Sequence, residues 1–263
     1  MARARSGAKR QVDVMAGHRQ RGWTRRTVFA LAGVVLLLVA SGCRWPRDAG
    51  TTLDDVRSGV LRVGVSEAPP WTRVADDGTV TGAEVRLVQR LAERLDARVE
   101  WYPGSESTLM AALKDRVLDL VVGGLDAKAP WTKQAALTRP YVTMRTVVAV
   151  PDGVAAPSDL AGARVAAPAG TAEIAALRGE DAVPVPVPEV TGREGLPVVV
   201  GQWRLAELGL RDGGHDLAEH DHVWAVPLGE NGWQVEVERF LLALSHGEVE
   251  DLLADAEREE TSA

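Results

Sequence analysis

Three groups of residues in this sequence have types that could do chemistry: a lone cysteine, a knot of histidines, and acids interleaved with tryptophans. Cys43 is the only cysteine, so no disulfide staples the fold. It follows an apolar run and has no plausible partner for nucleophilic catalysis. His215, His220 and His222 fall close together with Asp216 and Asp221 among them, and His-x-His on a strand would put two rings on one face, as zinc ligation needs. The segment reads instead as a polar loop leading into a strand. Acids and tryptophans fall close together at Glu67 with Trp71, beside Ser66, and at Asp126 with Trp131. A carboxylate beside an indole face suits a cation, through ion pairing and a cation–π contact worth about 0.5–2 kcal/mol per aromatic. Each residue taken alone could equally be core packing, a solvated loop acid or a helix cap. Gly123-Gly124 lacks the spacing of a dinucleotide or phosphate loop, and neither Gly-x-Ser-x-Gly nor His-Glu-x-x-His occurs. No metal and no cofactor is expected.

The elements that must position these residues follow from periodicity. Val60–Val65 alternates with β-branched residues and reads as a strand, followed by the breaker Pro69-Pro70; 76–79 is a turn. From Glu84, Val85, Val88, Leu91, Ala92 and Leu95 keep helical spacing, with Glu84 in the first turn where the helix dipole favours an acid. Residues 99–102 form a second strand, Ser107 caps a helix through Leu113, and 118–122 is a buried third strand. Strands alternating with helices predict a parallel α/β sheet, whose ligands bind at the carboxyl ends of the strands. Those ends are the loops after Val65, Tyr102 and Val122. Beyond a strand at 141–150, a second and smaller α/β region contains a strand at 163–167, a helix at 171–177, a strand at 198–200 and a helix at 203–208. Val183–Pro188 alternates prolines that remove every second backbone donor, so it is an edge strand or an extended connector. A strand at 222–226 and helices at 233–245 and 248–259 close the chain.

Charge divides the chain sharply. Residues 1–26 hold eight Lys/Arg against Asp13, so they carry +7 and the remainder −14. An acidic body argues against nucleic acid as partner, because phosphate binding needs clustered Lys/Arg. Part of the excess is local: 248–260 holds seven acids against Arg258. The basic stretch precedes an uncharged apolar run at 28–40, too short for the roughly 20 residues of a membrane span, and then Ser41-Gly42-Cys43. A basic segment, a short apolar one and small residues describe an export signal. Ala40-Ser41-Gly42-Cys43 resembles the lipobox of bacterial lipoproteins, which implies lipidation of Cys43 and an anchor on a membrane face. Thr24–Phe29 also resembles a twin-arginine motif, and the export route stays open.

From Leu61 to the end the chain resembles the family 3 solute-binding proteins of ABC importers. The resemblance rests on Leu61-Arg-Val-Gly-Val, Gly78-Thr-Val-Thr-Gly-Ala-Glu-Val, Leu118-Asp-Leu-Val-Val-Gly-Gly, Thr138-Arg-Pro-Tyr141, Ser158-Asp-Leu-Ala-Gly-Ala-Arg-Val and Gly170-Thr171, in that order. It implies an α/β, two-lobed periplasmic-binding-protein-like (type II) fold that closes on a small-molecule ligand and delivers it to an ABC permease, with no catalysis. Residues 1–42 are then an export signal, 43–52 a tether, 53–148 plus 223–263 the first lobe and 149–222 the second. The second lobe is expected to be reduced, because the family usually places a helix where Glu189–Pro197 is short and broken by Gly and Pro.

The pocket departs from the amino-acid pattern. The resemblance puts Trp131 where an arginine holds the ligand carboxylate, Asp126 where a Ser or Thr assists it, Glu106 where an aromatic stacks, and Gly201 where an Asp takes the ammonium. An ordinary amino acid would face Asp126 with its carboxylate unpartnered, which is costly in a desolvated cleft. The expected ligand is therefore cationic or amine-bearing, held by Ser66, Glu67, Trp71, Glu106, Gly124, Asp126, Trp131 and Thr171, the last opening a helix whose amides suit an anion. Two alternatives stay open: a dehydratase-like enzyme on the same scaffold, with Glu67 or Glu106 as acid–base group, and an interaction protein with a degenerate site.

Overall fold

The computed structural model describes residues 49–262. The export signal and Cys43 lie outside them. Ala49 already donates to the Gly229 carbonyl and Gly50 to Glu230 Oε1, so the chain joins the body ahead of Leu53. A short helix α1 (Thr52–Val56) leads into β1 (Val60–Val65). A small hairpin, β2 (Arg73–Val74) and β3 (Val80–Thr81), brackets the 76–79 turn. Next come α2 (Ala83–Arg94), β4 (Arg98–Pro103), α3 (Glu106–Lys114), β5 (Leu120–Val122) and β6 (Ala135–Leu137). Ser105, in extended geometry, takes the N-cap place of α3 that the sequence assigned to Ser107.

The second half runs β7 (Val142–Pro151), β8 (Arg164–Pro168), α4 (Ala172–Gly179), β9 (Val183–Val187), β10 (Val198–Gly201), β11 (Leu210–His222), β12 (Ala225–Pro227), α5 (Asn231–Leu241) and α6 (His246–Ser262). The strands form two five-stranded sheets, β4-β1-β5-β12-β6 and β11-β7-β10-β8-β9. In the first, β1 is parallel to β4 and β5, while β12 returns antiparallel between β5 and β6. In the second, β8 is parallel to β9 and β10, and β7 is antiparallel to β10 and β11. This is the two-lobed α/β fold expected. The chain passes outward near 138–142 and back near 222–225. Those passages lie side by side, Thr138 N–H donating to the Trp224 carbonyl at 2.8 Å and Tyr141 N–H to that of His222 at 3.0 Å.

Three sequence expectations are corrected. The histidine segment is not a loop. It is the end of the 13-residue β11, an edge strand paired along β7, and its last strand-forming residue is His222. An edge strand with much of its surface exposed needs no apolar alternation, and two register shifts, at Asp212/His215 and Asp216/Ala218, break what alternation there is. The helix expected at 203–208 is a single 3₁₀ turn at Gln202–Arg204, because the chain must reverse at once into β11. The closing helices begin and end elsewhere, at 231–241 and 246–262. Glu189–Pro197 holds no helix, as its glycines and prolines dictate, and β9 with Pro184 and Pro186 lies at a sheet edge, where missing donors are tolerated.

Burial follows the pattern of each element. α2 turns Leu87, Val88, Leu91 and Ala92 inward, and they join β1, Trp224 and Trp233 in the main core of the first lobe. A smaller cluster under α3 joins Leu109, Met110 and Leu113 to Leu125 and Val223, with the Trp131 ring packed against it. Among the described residues no helix is long and apolar enough to cross a membrane.

Candidate functional site

The loop after β5 is the centre of the arrangement, and one carboxylate fixes it. Glu84, fully buried at the start of α2, accepts the N–H of Gly123 and of Gly124 on Oε2, each at 2.8 Å. Its Oε1 accepts Tyr141 Oη–H at 2.8 Å and Trp224 Nε1–H at 2.9 Å. Four donors and no acceptor face it. Burial pushes its pKa up, and those donors pull it back by favouring the anion. Burial beside that carboxylate in turn drives the Tyr141 hydroxyl well above its usual range. Glu84 thus pins the loop to both inter-sheet passages.

Glycine is required where the loop turns. Gly124 has φ +62°, and a Cβ there would lie 2.9 Å from Trp71 Cδ1. The loops carrying Ser66–Trp71 and Gly123–Gly124 are therefore in direct contact. Ser66 N–H donates to the Val122 carbonyl at 3.0 Å, and its own carbonyl accepts Thr72 Oγ1–H at 2.5 Å.

The structure joins two of the sequence's candidates outright. Trp131 Nε1–H donates to Glu106 Oε2 at 2.8 Å, so the residue standing where an arginine was expected spends its one donor on the residue standing where an aromatic was expected. Glu106 Oε1 has no partner among the described residues. Asp126 accepts the Lys128 N–H at 2.7 Å on Oδ1 and lies 2.9 Å from His220 Nδ1 through Oδ2. Burial raises its pKa, but those donors and the neighbouring positive charge outweigh it and hold the carboxyl below the usual range.

Other candidates are placed differently. Trp71 is only 6% exposed; its ring stacks on His222 with centroids 3.8 Å apart and meets Tyr141 edge-on at 6.4 Å. It is a packed wall, and its face is not open to a ligand, because the apolar ring is needed to cover the passage at His222. Glu67 is exposed and makes no side-chain hydrogen bond or ion pair among the described residues. Thr171 is exposed at the N-cap of α4, where its Oγ1–H donates to the Pro168 carbonyl at 2.8 Å and caps no amide. Its side chain makes no hydrogen bond to a first-lobe candidate among the described residues.

Sequence reasoning missed four participants. Glu84 was readable as an acid on the same helical stripe as Val88, Leu91 and Leu95. His220 and His222 carried the signal of His-x-His spacing, but their neighbours are Asp126 and Trp71, and their ring centroids lie 6.4 Å apart. His215 instead reaches the Pro157 carbonyl. Among the described residues no three His, Cys, Asp or Glu are placed to hold a metal ion. The fourth is Trp203: a Cβ on Gly201 would fall 2.3 Å from its ring, so an indole fills the place where the resemblance expected an ammonium-binding Asp.

Residues 61–254 match the model of the bacterial extracellular solute-binding proteins, family 3. The chain belongs to that family. Its solved relatives share the fold: the unliganded, open L-cystine solute receptor of Neisseria gonorrhoeae superposes with a TM-score of 0.60 at 17% identity, over 74% of this chain and 91% of the other. Among curated proteins, the chain is 37% identical over 102 residues to membrane-bound lytic murein transglycosylase F of Photobacterium profundum, covering 38% of this chain and 19% of that one. It is 32% identical over 120 residues to cyclohexadienyl dehydratase of Pseudomonas aeruginosa, covering 45% and 43%. The chain thus spans less than half the length of these relatives. This family 3 protein shares the two-lobed fold of that receptor.

Proposed function

We propose that this chain is the receptor of an ABC-type importer, capturing a small cationic or amine-bearing solute between its lobes. The bond from Trp131 Nε1 to Glu106 Oε2 carries the reading. With it, the position expected to grip a carboxylate offers an indole face and a carboxylate with one open oxygen. Asp126, held ionised by its donors, adds to the same field. A cation gains from all three, whereas a free carboxylate finds no arginine. The reading keeps residues 1–42 as export signal and Cys43 as lipid attachment, and shortens the tether to 43–48 because Ala49 and Gly50 already bond to the body. It takes the two sheets as the lobes, with the crossings near 138–142 and 222–225, and places the chain on the extracytoplasmic membrane face.

Binding without turnover is favoured over dehydratase chemistry. Glu106 is bonded to an indole, and Glu67 makes no side-chain hydrogen bond or ion pair among the described residues. A thermal-shift screen of the chain against polyamines, quaternary amines, basic and neutral amino acids and divalent metals tests this. A ligand at 100 times its Kd stabilises by about 2.7 kcal/mol, enough to move the midpoint. Amines should raise it and Glu106→Gln should abolish the rise. Stabilisation by neutral amino acids alone, or conversion of the added solute to a product, would sink the proposal.

A further inference from the structure

The acid-rich closing helix supplies no residue to the site above and reaches it only through Trp203, and its contacts divide by lobe. At about 100° per residue, Glu248, Asp255 and Glu259 fall on one line along α6, and Glu250 and Glu257 on a line nearly opposite. Val249, Leu252, Leu253 and Ala256 lie between the two lines and are buried. The first line serves the first lobe through α2: Arg86 pairs with Asp255 at 3.4 Å and with Glu259, and Arg90 with Glu248 at 3.9 Å. The second line serves the second lobe through the 3₁₀ turn after β10. Gln202 Nε2–H donates to Glu250 Oε1 at 2.7 Å and lies 2.9 Å from His246 Nε2. Trp203 Nε1–H donates to Glu257 Oε2 at 3.3 Å, and Arg204 Nε stands 2.9 Å from Glu257 Oε1, an ion pair whose N–H is not aimed along that line.

We propose that α6 is a strap between the lobes, which sets their angle from outside the cleft before any ligand arrives. The Arg204–Glu257 pair is well shielded, at 17% and 20% exposure, so salt screens it weakly. Breaking a shielded pair from one side leaves a charge without its partner, which is costly. Gln202 also accepts Arg145 Nε–H at 3.0 Å, so the strapped turn is coupled to β7, a strand that leaves the passage between the sheets. A ligand that closes the lobes must then overcome or use this second connection. Five of the seven acids at 248–260, namely Glu248, Glu250, Asp255, Glu257 and Glu259, thereby acquire a structural role with no bearing on ligand charge.

Hydrogen exchange and small-angle scattering on the chain test the strap without any ligand. In the double variant Glu250→Gln, Glu257→Gln, amides at 202–208 should exchange about tenfold faster or more, and the radius of gyration should change. Arg86→Gln should leave both as they are, because Val249, Leu252 and Leu253 still hold α6 in the first-lobe core when its charged line is loosened. If the double variant does not fold, Arg204→Gln breaks the same ion pair from the second lobe and should reproduce its effect. Unchanged exchange at 202–208, an equal rise in Arg86→Gln, or faster exchange with an unaltered radius of gyration would each overturn the proposal.

Discussion

The two lobes bring unequal halves to the candidate site. The first-lobe loop 123–131 is fastened at three points: by Glu84 under Gly123 and Gly124, by His220 beside Asp126, and by Glu106 on Trp131. The second-lobe counterpart at Gly170–Thr171 is exposed, and its hydroxyl is turned back on the Pro168 carbonyl. One half is preorganised, and on the proposed function the other acquires its contacts when the lobes meet. Preorganisation lowers the ordering cost of binding, so ligand selectivity should reside in the first lobe.

Glu84 offers the largest way to break that asymmetry. Glu84→Ala would strand four donors, three of them buried (Gly123, Tyr141 and Trp224) and one part-buried (Gly124), and should destabilise the chain by roughly 3 kcal/mol or more in denaturant unfolding. Glu84→Gln keeps the shape but turns an amide N–H toward donors, and should fall between the variant and the parent. A loss below about 1 kcal/mol for Glu84→Ala would mean that the loop is not held by this carboxylate.

His222 gives the next effect, and it depends on pH. Burial first, then the nearby His220, lower its pKa from 6.5 to about 4; Asp126, Asp221 and the Gly124 backbone oppose the shift only partly. The folded protein keeps this ring neutral while the unfolded chain protonates it. Its contribution is therefore complete above about pH 6.5 and is lost as pH falls toward 4, by at most about 3 kcal/mol. The parent's melting temperature should drop between pH 7 and pH 5 by more than that of His222→Phe, which can still stack on Trp71. Equal drops would show that the passage at His222 does not sense acid.

How far these features could be read from the chain depends on how local their causes are. The amphipathic stripe of α2, the buried run at β5 and the proline alternation of β9 are local patterns, and each led to the right element. β11 was hidden because an edge strand takes its order from a partner, here β7, and not from its own alternation. The candidate site was half legible. Glu106, Asp126 and Trp131 were reachable through spacing against a known family. Their partners were not, because the donors to Glu84 come from positions 123, 124, 141 and 224, and the side chain over Gly201 comes from Trp203. Glu84 satisfied two rules at once, as an acid favoured in a first turn and as an intruder on an apolar stripe, and only the second reading pointed to its role.

Thr171 tests the weak half with the smallest expected change in stability. A threonine at an N-cap normally contributes about 1 kcal/mol by bonding a free amide of the first turn. Thr171 bonds a carbonyl instead, at an exposed position, so Thr171→Ala should shift unfolding by no more than about 0.5 kcal/mol. Binding of the amine that most stabilises the chain separates two outcomes for the same variant. If the first lobe alone selects the ligand, calorimetric affinity should hold within about twofold, since the lost hydroxyl was committed to Pro168. A loss of tenfold or more, about 1.4 kcal/mol, with the melting temperature unmoved, would mean that the hydroxyl turns toward the ligand on closure. In that case the second lobe would be a selective surface assembled on ligand binding, and the asymmetry would disappear in the complex.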